Sequence, residues 1–406
     1  MSRERKVPRR RFREFQNDEG WKYNKFKDVF DLLKNNTVSR DELNYEKGSV
    51  KNVHYGDVLI KYGDYIDVSK TKLPYFNCDK IVKKFASSLL QDGDIVIADT
   101  AEDETVGKCT EIQGASGVKL VSGLHTIPCR PKVKFAPKYL GYYINSYSYH
   151  DQLIPLMQGT KVTSISKSAI KETDMLIPKL IDEQRKIGEY LSNIDNIITL
   201  NQHKLEKLKA LKKAYLTQMF PSGGECKPKL RFAGFDDEWG QRKLGDEIIE
   251  IVAGGDVDKS KIRNYGKYPV LANSLVNDGV VGYYNDDFRV KAPAVTVTGR
   301  GDVGHAKARK VNFTPVVRLI SMKSKHDVDF LEHAINNCNV INESTGVPQL
   351  TVPQLSDYNI YFPKTIDEED AIGEFLCKLE DIIKSHQRKL QKLQNLKKAY
   401  LNEMFI

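Results

Sequence analysis

The chain lacks most of the features that mark a catalytic, secreted or membrane protein. Its six cysteines, Cys78, Cys109, Cys129, Cys226, Cys338 and Cys377, are scattered, and none lies within four residues of another. That spacing excludes paired-cysteine zinc and dithiol motifs and suits a reducing, cytoplasmic setting. No run of about 18 apolar residues occurs, so no membrane span is expected. The basic start, Met1 to Phe15, has no apolar stretch behind it and does not read as a signal peptide. Nucleotide P-loop, H-E-x-x-H, G-x-S-x-G and kinase signatures are missing. So are the Asn-Pro-Pro and Asp-Pro-Pro tetrapeptides of amino-methyltransferases. The eight histidines do not cluster. The acidic stretch from Ala98 to Thr105 lacks the alternating carboxylate spacing of a calcium loop. The chain is therefore expected to be no enzyme on its own and to bind no metal or cofactor. A folded protein remains, with 406 residues, 40% of them hydrophobic and 29% charged. Lysine and arginine number 63 against 54 acids, a net charge of +9, which moderately favours a polyanionic partner.

What is present is a repeat. Pro178 to Phe220 and Pro363 to Phe405 lie 185 residues apart and align without a gap, with 24 of 43 positions identical. A period of 185 is far longer than that of a solenoid, so the repeated unit is a domain plus a long helix. The openings match too. Pro8 leads to Arg11-Phe12, Phe15, Asp18-Glu19 and Trp21, and Pro228 leads to Arg231-Phe232, Phe235, Asp237-Glu238 and Trp239. These are the only two tryptophans, and they read as anchors onto a core. Such an internal two-fold plan suits a partner with two half-sites.

The repeated segments read as helices, with Asp182 and Asp367 as caps. Apolar residues step by four and three along Ile187, Leu191, Ile194, Ile198, polar Asn201, Leu205 and Leu208. The second copy has Ile372, Leu376, Leu379, Ile383, polar His386, Leu390 and Leu393. This is a coiled-coil seam, and the early Leu211 suggests a stammer after Leu208. Two such stripes in one chain most simply pack on each other, and the symmetry favours an antiparallel pair. The boundaries drawn are 1–177 and 222–362 for two mixed domains, with 178–221 and 363–406 for the helices. Within the domains strands are predicted at Asp57–Ile60, Asp94–Ala98, Lys132–Phe135, Pro269–Leu271, Ala294–Thr298 and Pro315–Ile320. Helices are predicted at Lys138–Ser148 and Val328–Asn337. The class is α+β.

Four features point toward DNA. The glycine-rich loop Thr298 to His305 follows a β run, leaving Arg300, His305 and Lys307 able to reach a base or phosphate. Its counterpart runs from Asp99 to Lys108. The segments Gly159–Lys167 and Ser344–Thr351, again 185 apart, offer Thr160, Lys161, Thr163, Ser164, Lys167, Thr345, Gln349 and Thr351. Lys384 to Lys398 holds six basic residues and no acid, a solvated helix face or a track for a DNA backbone.

The paired P-x-x-x-D-E…I-G-x-[YF]-L…L-K-K-A-Y-L-x-x-M-F helices, the G-R-G-D-V-G-H loop and the P-x-x-R-F-x-x-F openings resemble the DNA-specificity subunits of type I restriction-modification systems over essentially the whole chain. The resemblance implies two α/β target-recognition domains separated by two pseudo-two-fold helices packed as an antiparallel coiled coil. Each domain would read one half of a split target on double-stranded DNA, and the helices would set the spacer and dock partners. It further implies two modification subunits, carrying an S-adenosylmethionine-dependent adenine-N6 methyltransferase, and two restriction subunits using ATP and magnesium. The acidic Glu102-Asp103-Glu104 departs from the family loop pattern. A free-standing bipartite DNA-binding regulator is the alternative reading.

Overall fold

The computed structural model describes residues 6–77, 85–338 and 349–406. Cys78 and Thr345, with most of the Ser344–Thr351 segment, lie outside them. The chain divides into two compact units, one of residues 1–200 with 390–406 and the other of residues 201–389. The predicted helices are Ile181–Gln218 and Ile366–Glu403, each 38 residues long. Each is therefore shared between units. Within the described residues no helix is long and apolar enough to cross a membrane.

Unit 1 is built on a five-stranded mixed sheet in the order Phe30–Leu32, Thr126–Pro131, Ile95–Ala98, Cys109–Gln113, Tyr65–Asp67. Ile95 to Ala98 are all buried, as an unbroken apolar run requires when both faces of a strand are covered. Unit 2 has the corresponding order Ile248–Ala253, Leu319–Ser324, Ala294–Thr298, Ala306–Arg309. Each unit also pairs its opening with the strand that leads into its long helix. Lys22–Lys25 runs antiparallel to Asp174–Ile177, and Gly240–Lys243 to Asn359–Phe362.

The openings dock on the first turn of the helices. Arg11 grips Glu183 through Nε and Nη2, both at 2.7 Å, and Trp21 Nε1 donates to the same carboxylate at 3.2 Å. Arg231 grips Glu368 at 2.6 and 2.7 Å, with Trp239 Nε1 at 3.3 Å. Both carboxylates are buried. Five residues on, Gly188 and Gly373 allow a short helix to approach. A Cβ at Gly373 would stand 2.3 Å from Asp327 Oδ1 and 2.8 Å from Phe330 N, and one at Gly188 would stand 2.8 Å from the Pro137 carbonyl oxygen.

The helix ends close the cores. Phe405 meets Trp21, Tyr139 and Tyr143 at ring distances of 6.3, 6.0 and 5.7 Å in unit 1. Phe220 meets Trp239 at 6.0 Å and Phe330 at 5.6 Å in unit 2. Within each unit the helix segments pair antiparallel. Tyr190 meets Tyr400 and Asp195 meets Lys397 in unit 1, while Lys212 meets Glu380 and Tyr215 meets Phe375 in unit 2. Ile187, Leu191, Ile194, Ile198, Asn201 and Leu205 are buried, with Leu208 half-buried. Ile372, Leu376, Leu379 and Ile383 are likewise buried, and His386, Leu390 and Leu393 half-buried.

Several local expectations are corrected. There is no stammer, because Lys212 and Tyr215 continue the four-three spacing and Leu211 is exposed. A lysine can hold a seam position when its stem packs and its ammonium finds a carboxylate. Lys212 binds Glu380 at 2.6 Å, and its repeat mate Lys397 binds Asp195 and Asp64, each at 2.7 Å. Asp182 and Asp367 lie inside the first turns rather than at the caps. Asp57–Ile60 belongs to a helix, Tyr55–Ile60, because His54 caps it by accepting from Gly56 N at 3.1 Å. Lys132–Phe135 forms no strand, and Val133 is exposed. Pro315–Ile320 is split because Arg318 takes a left-handed backbone, φ 71°. The helix predicted at Lys138–Ser148 breaks into Tyr139–Ile144 and Tyr147–His150.

Among other differences, a buried polar contact sets the units apart. In unit 2, His326 sits between Glu369, 2.7 Å from Nδ1, and Glu247, 2.9 Å from Nε2. Arg242 and Lys325 also reach Glu247. In unit 1 the position matching Glu369 is Gln184, which accepts from Ala136 N at 3.1 Å. Burial alone would lower the His326 pKa, but the bonds to Glu369 and Glu247 outweigh it and raise it.

Arg231→Ala should cost about 3–5 kcal/mol, because it strands the buried Glu368 carboxylate. Arg231→Lys should recover little of this, since an ammonium cannot reproduce the two-pronged grip. Urea unfolding followed by Trp239 fluorescence, with Trp21 replaced by Phe, measures both. The same signal should show unit 2 losing stability as pH rises above about 6.5, because a raised histidine pKa stabilises the fold fully only below its unfolded value. His326→Gln should flatten that slope.

Candidate DNA interface

In each unit the first singled-out loop is the connection of the central hairpin. In unit 2, Thr298 closes it. Thr298 N donates to the His305 carbonyl at 3.0 Å, Gly304 N donates to the Thr298 carbonyl at 2.8 Å, and His305 N donates to Thr298 Oγ1 at 3.0 Å. Gly301 and Gly304 supply the left-handed backbone, φ 76° and 83°, that so short a reversal needs. In unit 1 the same closure runs from Ala98 N to the Lys108 carbonyl and from Gly107 N to the Ala98 carbonyl, both at 2.9 Å.

The second singled-out segment pairs with that loop in both units. Thr163 and Ser164 lie opposite Ala101 and Thr100, and Gln349 lies opposite Arg300, all antiparallel. One further bond repeats. Ile165 N donates to the Asp99 carbonyl at 2.9 Å, and Leu350 N donates to the Gly299 carbonyl at 3.0 Å. Ile165 and Leu350 are buried and tie the paired segments to the cores. Each segment then enters a short helix, Lys167–Lys171 or Val352–Ser356, capped by Ser166 or Thr351. Segments far apart in sequence, such as Ala101 with Thr163 and Arg300 with Gln349, thus form one small platform at the end of each central sheet.

The candidate side chains divide by how they are used. Thr160, Lys161, Ser164, Arg300, His305 and Gln349 are exposed on the platforms. Lys167 is exposed too, with Nζ 3.2 Å from Asn35 Oδ1. Others are held within the fold. Lys108 Nζ donates to the Leu59 carbonyl at 2.6 Å. Thr163 Oγ1 donates to the carbonyls of Ala101 and Asp103, each at 3.1 Å. Thr351 is the cap of its helix. Lys307 Nζ binds Glu332 at 2.7 Å and lies 3.6 Å from Glu380. In the acidic loop Asp103 turns onto Thr105, accepting from its hydroxyl at 2.5 Å and from its N at 2.9 Å, which holds the carboxyl below its usual range. Among the described residues Glu332, His333 and Glu380 converge within 4.8 Å. The ammonium groups of Lys307 and Lys212 already face those carboxylates, so the cluster is an ion-pair network and not a cation seat.

Unit 1 carries a basic and aromatic surface that the sequence did not disclose. The Tyr45 ring is flanked by Lys61, Lys72 and Arg40 at 5.5, 5.8 and 5.9 Å. Arg40 and Lys61 both bind the buried Asp57, at 2.7 and 3.0 Å. Burial alone would raise the Asp57 pKa, but these bonds hold it low. The adjoining Tyr55 ring lies 5.3 Å from that of His125. These residues come from four stretches of chain, so no local motif could announce them. Lysine and arginine beside aromatic faces suit a phosphate backbone and its bases.

Comparison with known proteins bears on the family and the fold. Residues 18–210 and 236–395 match the family described as "Type I restriction modification DNA specificity domain". A type I specificity subunit of Mycoplasma pneumoniae, provisionally assigned, is 29% identical over 212 residues, which are 51% of this chain and 55% of that protein. A provisionally assigned type I restriction enzyme specificity subunit of Methanocaldococcus jannaschii is 22% identical over 406 residues, 95% of this chain and 92% of that one. Among solved structures, the S subunit of a type I restriction-modification system from M. genitalium shares the fold, with a TM-score of 0.65 at 13% identity, over 98% of this chain and 99% of the other. The two-unit, two-helix chain belongs to the type I restriction-modification DNA-specificity family.

Proposed function

We propose that this protein is the specificity subunit of a type I restriction-modification complex, and that each unit reads one half of a bipartite target on double-stranded DNA. One observation carries the reading. The same loop and the same segment meet at the same point of the central sheet in both units, and both platforms expose polar and basic side chains. Backbone-rich, cation-bearing loops on a rigid sheet are suited to enter a groove and to contact base edges and phosphates. The chain supplies recognition and not chemistry. Two modification subunits with an adenine-N6 methyltransferase would bring S-adenosylmethionine, and two restriction subunits would use ATP and magnesium. The long helices would set the spacer and dock the modification subunits, all in the cytoplasm. Nothing in the fold favours a free-standing regulator.

The test is single-molecule sequencing of adenine methylation in cells that carry this gene with its modification partner. A split motif with N6-methyladenine in each half, absent without this chain, is expected, and no such motif despite a stable complex would refute the reading. Exchanging residues 222–362 for those of another family member should change one half of the motif only. Arg300→Ala should weaken binding of the cognate duplex by about 1–3 kcal/mol if its guanidinium bridges a guanine, measured by titration at fixed salt.

A further inference from the structure

Five described non-glycine residues hold a left-handed backbone: His125, Lys138, Asn277, Asp278 and Arg318, with φ of 53°, 71°, 51°, 51° and 71°. Asn and Asp tolerate this region because their short side chains bond locally. Lys138 is explained by its contacts. Its backbone N donates to Glu111 Oε1 at 2.5 Å, its ammonium lies 3.3 Å from Ser192 Oγ, and it sits 4.7 Å from the Tyr65 ring centre. His125 and Arg318 remain; histidine enters this region more readily than most residues, whereas an exposed arginine held there is unusual and marks either strain or function.

These two occupy the same place in the two units. Each immediately precedes the strand that pairs antiparallel with the first strand of the central hairpin. Thr126 lies opposite Ala98, and Leu319 lies opposite Thr298. Each also abuts, through its own carbonyl, the residue that follows that first strand, Asp99 or Gly299. The His125 carbonyl accepts from Asp99 N at 3.1 Å. The Arg318 carbonyl oxygen would stand 2.4 Å from a Cβ at Gly299, so the glycine is what lets this residue come so close. Asn273 ties the corner together, accepting from Gly299 N at 2.8 Å and donating to the Val317 carbonyl at 2.9 Å. Both side chains are exposed. His125 stands edge-on to Tyr55, with Nδ1 3.4 Å from Thr100 Oγ1 and 3.5 Å from Asp99 Oδ1. The guanidinium of Arg318 has no hydrogen bond or ion pair among the described residues, and the backbone that carries it abuts Gly299 in the loop that bears Arg300.

A glycine would relieve the backbone at either position. In both units the position instead keeps an exposed side chain able to donate hydrogen bonds, on backbone that abuts the platform. We propose that Arg318 and His125 are specificity-determining residues, one in each unit, with Arg318 addressing a guanine edge. This rests on the reading of the platforms as DNA-contacting.

The experiment uses the complex with its modification partner, comparing Arg318→Gly, Arg318→Lys and His125→Gly with the parent. Three quantities are read: melting temperature, affinity for the cognate duplex, and the methylated motif. Arg318→Gly should melt no lower than the parent, because it relaxes the backbone. It should nevertheless lose about ten- to a hundredfold in affinity and relax one half of the motif. His125→Gly should relax the other half. Arg318→Lys should fail to restore the lost base preference, since bridging a guanine needs the planar fork. If it restores the motif fully, the contact is to phosphate and the assignment to a guanine edge is wrong. Unchanged affinity and motif in both glycine variants would overturn the proposal while leaving the platforms as the reading surface. A parent complex with no sequence preference would overturn both.

Discussion

The structure depends on a buried charge pair used twice. A carboxylate in the first turn of each long helix, Glu183 or Glu368, is gripped by an arginine and an indole N–H from the start of the same repeat. Charges this deeply buried are tolerated only when every lone pair finds a donor. The pair therefore acts less as a source of net stability than as a constraint on geometry. It fixes where the opening segment lies, and hence where the strand that follows it pairs with the strand entering the helix. From that fixed foot, Gly188 and Gly373 bring a short helix against the long one, and the central sheet stands on that helix. The platforms are at the far end of this chain of contacts.

The seam obeys the same logic. Lys212 and Lys397 sit in a mostly apolar stripe that also carries Asn201 and His386, and each lysine is satisfied by an acid, Glu380 or Asp195, on the facing helix. Polar groups in a coiled-coil seam sacrifice some stability and forbid alternative registers. A shift by one turn would bury a lysine against leucine. The repeat therefore encodes register as well as shape, and it does so in both units with the same residue types.

The sequence was legible where a residue's role follows from local periodicity. The four-three spacing located the seam, and continuous apolar runs such as Ile95 to Ala98 located the buried strands. The 185-residue offset located the second segment of each platform, and the glycine-rich run after a strand located the first, though neither showed that they pair. It failed where a distant group decides. Asp57–Ile60 reads as a strand until His54 caps it and Arg40 binds Asp57. Leu211 reads as a slip until Lys212 is seen to carry the seam through its salt bridge. Lys108 and Lys307 read as phosphate ligands, yet their ammonium groups have partners within the fold that no spacing rule anticipates. The Tyr45 surface and the left-handed His125 and Arg318 are likewise tertiary facts, assembled from residues with nothing unusual around them in sequence.

One core contact bears on the order in which the protein forms. Phe405 packs against Trp21, so the first unit closes through residues translated after the whole of the second. Residues 201–389 are contiguous and hold the described core clusters of their own unit, whereas residues 1–200 emerge before the Phe405 that packs on Tyr139 and Tyr143. During synthesis the usual N-terminal-first sequence is thereby inverted. The earliest-made domain is the last to be sealed, and in the interval its exposed rings are what a chaperone, or a partner subunit binding during translation, would have to shelter.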